Sequence, residues 1–142
     1  MPTDANPAPA PEHANLRLVR TYFDAIERNV EEAELATFFS PDVRQQEFPN
    51  RLVDKGAERN LALLLEGSRK GRHAVQNQRY AIRHALAAGD RVALELTWTA
   101  ELKVPLGSTA AGGTLTANCG VFFRIQGGRI VEQHNYDCFD AF

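Results

Sequence analysis

Between residues 91 and 104 the chain reads RVALELTWTAELKV, and two kinds of residue alternate without a break. Val92, Leu94, Leu96, Trp98, Ala100, Leu102 and Val104 form one set, while Ala93, Glu95, Thr97, Thr99, Glu101 and Lys103 form the other. Successive side chains of a strand point to opposite faces, so this run is a strand with a dry side and a wet side. The dry side needs an apolar cover. AAGD supplies turn chemistry just before it, and ahead of that turn Tyr80, Ile82, His84 and Leu86 share a face of an antiparallel neighbour. Downstream, PLGSTAAGG makes a flexible connection, after which TLTANCGVFFRI pairs with RIVEQHNYD across Gln126, Gly127 and Gly128.

The cover comes from the first half. From Asn15 onward Leu16, Val19, Tyr22, Phe23 and Ile26 recur at helical spacing. A second helical stretch, EEAELATFF, stops at SPD, where Pro41 biases Ser40 toward an extended backbone. VRQQEF, residues 43–48, reads as a short strand, and GAERNLALLLEGSRKG reads as a third helix from Gly56 with Leu61, Leu64 and Leu65 on its buried side. Helices followed by long antiparallel strands, without βαβ alternation, predict an α+β domain whose helices cover one face of a curved sheet.

Composition limits what such a domain handles. The chain has 142 residues, 44% of them hydrophobic, and a net charge of −2 from 16 basic and 18 acidic residues. That suits one domain and offers no positive field for nucleic acid or an anionic membrane. The basic run SRKGR at 68–72 reads as a helix end, where cations meet the negative end of the dipole. Cys119 and Cys138 match no zinc or redox spacing, and no metal or cofactor is implied. Residues 1–14, rich in Pro and Ala, read as a disordered leader before a single domain over 15–142. With no secretory pattern and no apolar run long enough to span a bilayer, a cytoplasmic protein is expected.

The segments LVRTYFDAIERNVEEAELATFFSPDV, the isolated Gly56, AAGDRVALELTWTAEL and VFFRIQGGRIVEQHNYD follow one another in an order that resembles the nuclear transport factor 2-like superfamily, in its SnoaL-like and ketosteroid isomerase-like branch. The resemblance covers about residues 15–139. It implies a cone in which a strongly curved antiparallel sheet with a mixed edge wraps around about three N-terminal helices and encloses an apolar pocket. It also implies a homodimer through the outer sheet face. Members include isomerases, cyclases, dehydratases, epoxide hydrolases and plain binding proteins.

The last strand carries Glu132, Gln133, His134, Asn135 and Asp137, groups that an enclosed strand must pair with partners or with a ligand. Pleating puts His134 and Tyr136 on one face and Gln133, Asn135 and Asp137 on the other; Ile130 favours burying the even set and Val131 the odd. Periodicity leaves both open. His134 titrates near neutrality and suits acid/base work, and Asp137 is a base if desolvated, or an orienting group for His134. The resemblance implies an oxyanion-stabilising role for Tyr22 and places Glu47 one residue from the isomerases' catalytic acid. It puts Asn135 where epoxide hydrolases hold a carboxylate. At Leu96 and Trp98 it replaces a charged pair by an apolar wall, which with Phe23 and Tyr80 suits a small hydrophobic molecule. Cys119 reads as core, and the tail CFDAF either plugs the pocket through Phe139 and Phe142 or lies on a partner subunit. Two readings follow: a cofactor-free isomerase, cyclase or dehydratase moving a proton beside a carbonyl, or a noncatalytic binding or dimeric interaction module.

Overall fold

A computed structural model describes residues 11–142, so the expected leader lies outside the described residues up to residue 10. The elements are α1 Pro11–Glu27, α2 Glu32–Ala36, β1 Phe39–Glu47, β2 Ala57–Arg59, α3 Leu61–Ala74, β3 Val75–Ala88, β4 Arg91–Leu102, β5 Thr114–Gln126 and β6 Arg129–Phe139. The strands form one curved, unclosed sheet in the order β2-β1-β6-β5-β4-β3. Only β1 and β6 run parallel; every other pair is antiparallel. This is the α+β architecture that the element order predicts, with the mixed edge that the resemblance implies.

Helix α1 is already formed at Pro11, the first described residue and four residues before the predicted start at Asn15. Its buried face carries Val19, Tyr22, Phe23 and Ala25, and Asn29 ends the helical path with φ +60°. Helix α3 also departs from expectation. It begins at Leu61, with Asn60 as its cap accepting from Leu63 N at 3.0 Å. Residues 57–59 instead form the edge strand β2, placed by a turn at Gly56 whose N–H donates to Val53 O at 2.9 Å. Gly56 has φ +68°, and a Cβ there would sit 2.5 Å from the Glu47 carbonyl oxygen. Gly56→Ala is therefore expected to cost at least about 2 kcal/mol in urea denaturation, from left-handed backbone strain plus the clash.

Three irregularities decide which side chains face inward. In β3, Asn77 has φ +53° and the pairing to β4 shifts between Gln76 and Arg79. A second shift falls between Ile82 and His84, so Ala85 and Ala87 pack on the core while Leu86 is 73% exposed. The single face predicted for Tyr80, Ile82, His84 and Leu86 thus breaks at Arg83, since a bulge reverses alternation beyond it. In β6, Ile125 pairs with Ile130 but Arg124 pairs with Glu132, leaving Val131 as the extra residue. Ile130 and Gln133, an odd number of residues apart, are consequently both buried.

Strand β4 follows its alternation: Val92, Leu94, Leu96, Ala100 and Leu102 are buried, whereas Val104 lies beyond the strand and is half exposed. The core between α1 and the sheet is aromatic. Tyr22 meets Phe23, Phe38, Phe39 and Phe123 at centroid distances of 5.1, 5.8, 5.4 and 6.1 Å. On the wet face Arg83 pairs with Glu95 at 3.3 Å, and the Thr97 hydroxyl donates to Asn118 Oδ1 at 2.9 Å. Arg72, within the basic run, ties α3 to α2 through Glu32 at 2.9 Å.

Candidate functional site

The aromatic core stops short of filling the cone. A hollow of about 260 Å³ lies between α1 and the inner face of the sheet, bordered by Tyr22, Phe23, Leu96, Trp98, Cys119 and Phe139 among others. A second hollow of about 250 Å³ lies toward α3, sharing Tyr22, Gln45, Glu47, Gln78 and Tyr80 as a wall. The bulge at Val131 settles the face that periodicity left open: Gln133, Asn135, Asp137 and Phe139 line the first hollow. Phe139 meets Trp98 edge-on at 6.0 Å, and Phe142 rests against Phe139 at 5.9 Å. The tail therefore packs at the hollow.

Of the residues singled out from the sequence, Tyr22, Phe23, Glu47, Tyr80, Leu96, Trp98, Asn135 and Asp137 converge on this hollow. His134 does not. It projects from the opposite face of β6, where its Nε2 lies 3.0 Å from Glu132 Oε1 and its ring meets Phe48 edge-on at 5.9 Å. That places it in a polar groove with Arg44, Gln46, Arg124 and Glu132, on the far side of the sheet from Asp137. Beyond the bulge the pairing is regular, and residues an odd number apart face opposite sides, so seating Asp137 inside turns His134 out.

Asp137 is the chemically distinctive group. Among the described residues its carboxylate has no ion-pair partner, and burial raises its pKa above the usual carboxylate value. A hydrogen bond from Cys119 and the Arg59 charge pull it down, while Glu47 pushes it up. Cys119 pairs with Asp137 across the β5·β6 ladder. Burial first, and then the Asp137 charge, hold its thiol well above the ordinary value, so it is protonated and packs as expected. Burial pushes the Tyr22 phenol up to about 12, partly offset by the Gln133 amide, which keeps it a donor at neutral pH. Tyr80 is raised well above its ordinary value, chiefly by burial.

Glu47 reaches the wall with both oxygens engaged. Arg59 Nη1 donates to Oε1 at 2.7 Å and Asn50 Nδ2 to Oε2 at 2.8 Å, while Arg59 also reaches Gln45 Oε1 at 3.1 Å. A carboxylate so held contributes charge and shape. Opposite it, Trp98 Nε1 donates to Gln78 Oε1 at 3.0 Å. Gln133 is the remaining polar element: Nε2 donates to Asn135 Oδ1 at 3.1 Å, and Oε1 is buried without a partner. Such an orphaned acceptor costs about 1–3 kcal/mol.

Sequence reasoning missed Gln45, Arg59 and Gln78 as lining or wall residues, and placed Gln133 on the face of Asn135 and Asp137 without assigning it a role. Gln78 turns inward because Asn77 takes a positive φ, which the asparagine itself permits. Arg59 arrives through β2, and a helix starting at Gly56 would have hidden it. The LALLL run preceded by Asn60 was the available signal.

A model of the SnoaL-like domain family matches residues 19–133. No curated protein matches the chain. Among solved structures, AclR from Streptomyces galilaeus, a proposed hydroxylase, superposes with TM-score 0.73 at 20% identity, covering 89% of this chain and 76% of that one. IdmH from Streptomyces antibioticus, a proposed polyketide cyclase, gives 0.71 at 16% identity, covering 87% and 91%. A Catenulispora acidiphila protein with a ketosteroid isomerase-like fold, bound to trimethylamine, gives 0.65 at 18% identity, covering 84% and 83%. At these identities the likeness is one of fold.

Proposed function

This chain belongs to the SnoaL-like domain family, and from that premise we propose that its hollow takes a small hydrophobic carbonyl compound on which Asp137 moves a proton at the carbon next to the carbonyl. Isomerisation, cyclisation and dehydration all begin with that step, which needs a base and a donor to the oxygen and no cofactor. The observation that carries the reading is the Asp137 carboxyl, without an ion-pair partner among the described residues and turned into the hollow, where burial raises its pKa. Tyr22, protonated at neutral pH, supplies a hydrogen bond to the developing oxyanion. Asn135, whose Oδ1 is held by Gln133, offers its own N–H groups to the same oxygen. Glu47, held by Arg59 and Asn50, positions the wall, and His134 takes no part in the proton transfer. The cyclase and hydroxylase descriptions of the structural neighbours support a small-molecule role of this kind.

The test is deuterium uptake at the α-carbons of β-tetralone in D2O, followed by NMR. Acceleration of about 10²-fold or more over buffer is expected. Binding with no acceleration leaves a noncatalytic pocket and removes the enzyme reading; no binding removes both.

The proposal extends to a cytoplasmic homodimer through the outer sheet face. Support comes from Phe122, 50% exposed, and Tyr136, 45% exposed, which meet edge-on at 5.8 Å while Phe48 stacks on Tyr136 at 4.3 Å. Among the described residues no helix is long and apolar enough to cross a membrane. Sedimentation at micromolar concentration distinguishes dimer from monomer.

A further inference from the structure

Gln133 is the single polar side chain fully enclosed by the core among the described residues, at 1% exposure. Its two amide atoms are treated unequally. The nitrogen donates to Asn135 Oδ1 at 3.1 Å, whereas the buried oxygen has no donor in hydrogen-bond geometry, and the side chain as a whole forms part of the lining of the hollow. The Tyr22 phenol stands beside the amide, but it leaves the oxygen unsatisfied. Buried acceptors are almost always paired, and one left open on a side chain that lines a hollow is suited to a donor that a ligand brings. The volume is polar enough to hold one: Asn135, Asp137, Gln78 and Gln45 share it with Trp98 and Phe139.

We infer that Gln133 is a specificity-determining residue that reads a hydroxyl on the ligand, its Oε1 accepting from that hydroxyl while the carbonyl of the same molecule lies within reach of Tyr22 and Asn135. This rests on the carbonyl-binding reading given above and narrows it: the occupant is a hydroxylated ketone, not a plain hydrocarbon ketone. Discrimination comes from the cost of leaving the acceptor unpaired, so an analogue without the hydroxyl forfeits affinity even though it fits. The neighbouring Asn135 is fixed by the same amide. Gln133 therefore orients one group that meets the ligand and itself meets another.

Calorimetric titration of the full chain with β-tetralone, its ring-hydroxylated isomers and the matching ring-methoxy ethers tests this. At least one hydroxylated isomer should bind the wild type about 10-fold or more tightly than β-tetralone, and its methoxy ether, which cannot donate, should show no such gain. Gln133→Leu should bring the hydroxylated compound to within about 3-fold of β-tetralone. Its melting temperature should match or exceed that of the wild type, because an unpaired acceptor has been removed. Gln133→Met, unbranched and closer in shape, repeats the comparison should leucine disturb the core. If β-tetralone binds but no hydroxylated isomer binds more tightly, the assignment of Gln133 is wrong and the pocket reading stands. The assignment is equally wrong if the methoxy ether matches the alcohol, or if the preference survives both substitutions. If none of the ketones binds, the pocket reading fails and this inference falls with it.

Discussion

Asp137→Asn is expected to slow deuterium uptake at the α-carbon of β-tetralone by about 10²-fold or more, because an amide of the same shape cannot accept the proton. Affinity for the ketone should change little, as the hollow keeps its walls. The same substitution reports on stability. In the fold the carboxyl is held above its ordinary value of 3.8, first by burial. A raised pKa means that folding favours the protonated form, so the stabilisation it provides is complete below pH 3.8 and is lost as pH rises through the folded value. The asparagine variant lacks that loss. It should therefore be more stable than the wild type at neutral pH, with the gap closing in acid. A gap of equal size at every pH would show that Asp137 is not a desolvated carboxyl, and undiminished exchange would show that the proton travels elsewhere.

The largest loss of stability is expected from Phe123→Ala, about 3–5 kcal/mol in urea denaturation. Phe123 is 1% exposed and meets Tyr22 and Phe23 edge-on at 6.1 and 6.0 Å, so truncation removes the ring on which α1 rests. It also lies opposite Gln133 on the β5·β6 ladder. The void left behind would open beside that amide, and water could then enter and pair its oxygen. The neighbouring Phe122→Ala, on the outer face with half its ring exposed in the single chain, should cost less than about 1 kcal/mol at concentrations where the chain is monomeric. Equal losses at the two positions would contradict the facing of β5.

The gross fold was legible because β4 announces itself: thirteen residues of unbroken alternation, 92–104, fix a two-faced strand, and the spacing of Val19, Tyr22 and Phe23 supplies the helix that covers it. What escaped prediction depends on single residues out of step. Neither Val131 nor Arg83 has a composition that marks a bulge, and each is visible only through the register of its partner strand. At Ile130 and Val131 local pattern supported two facings equally, and long-range pairing chose between them. Gly56 offered a real signal, misread because a glycine before a helical-looking run does not say whether the chain turns first. Its close approach to Glu47 O is a tertiary fact. The candidate site was therefore legible as a set of residue types and not as a set of directions. Asp137 and Asn135 entered through the facing of β6, whereas His134, the residue with the most suggestive chemistry, was carried out by the same alternation.

Strand β6 sits inside the sheet, laddered to β1 on one side and β5 on the other, and contributes every second side chain past its bulge to the hollow. Four codons, those of Gln133, Asn135, Asp137 and Phe139, thus rewrite one whole floor of the chamber while the backbone that carries them stays clamped by neighbours which take no part in the change. A lineage, or a mutagenesis library, can exchange one chemistry for another along that short reading frame without renegotiating how the chain folds.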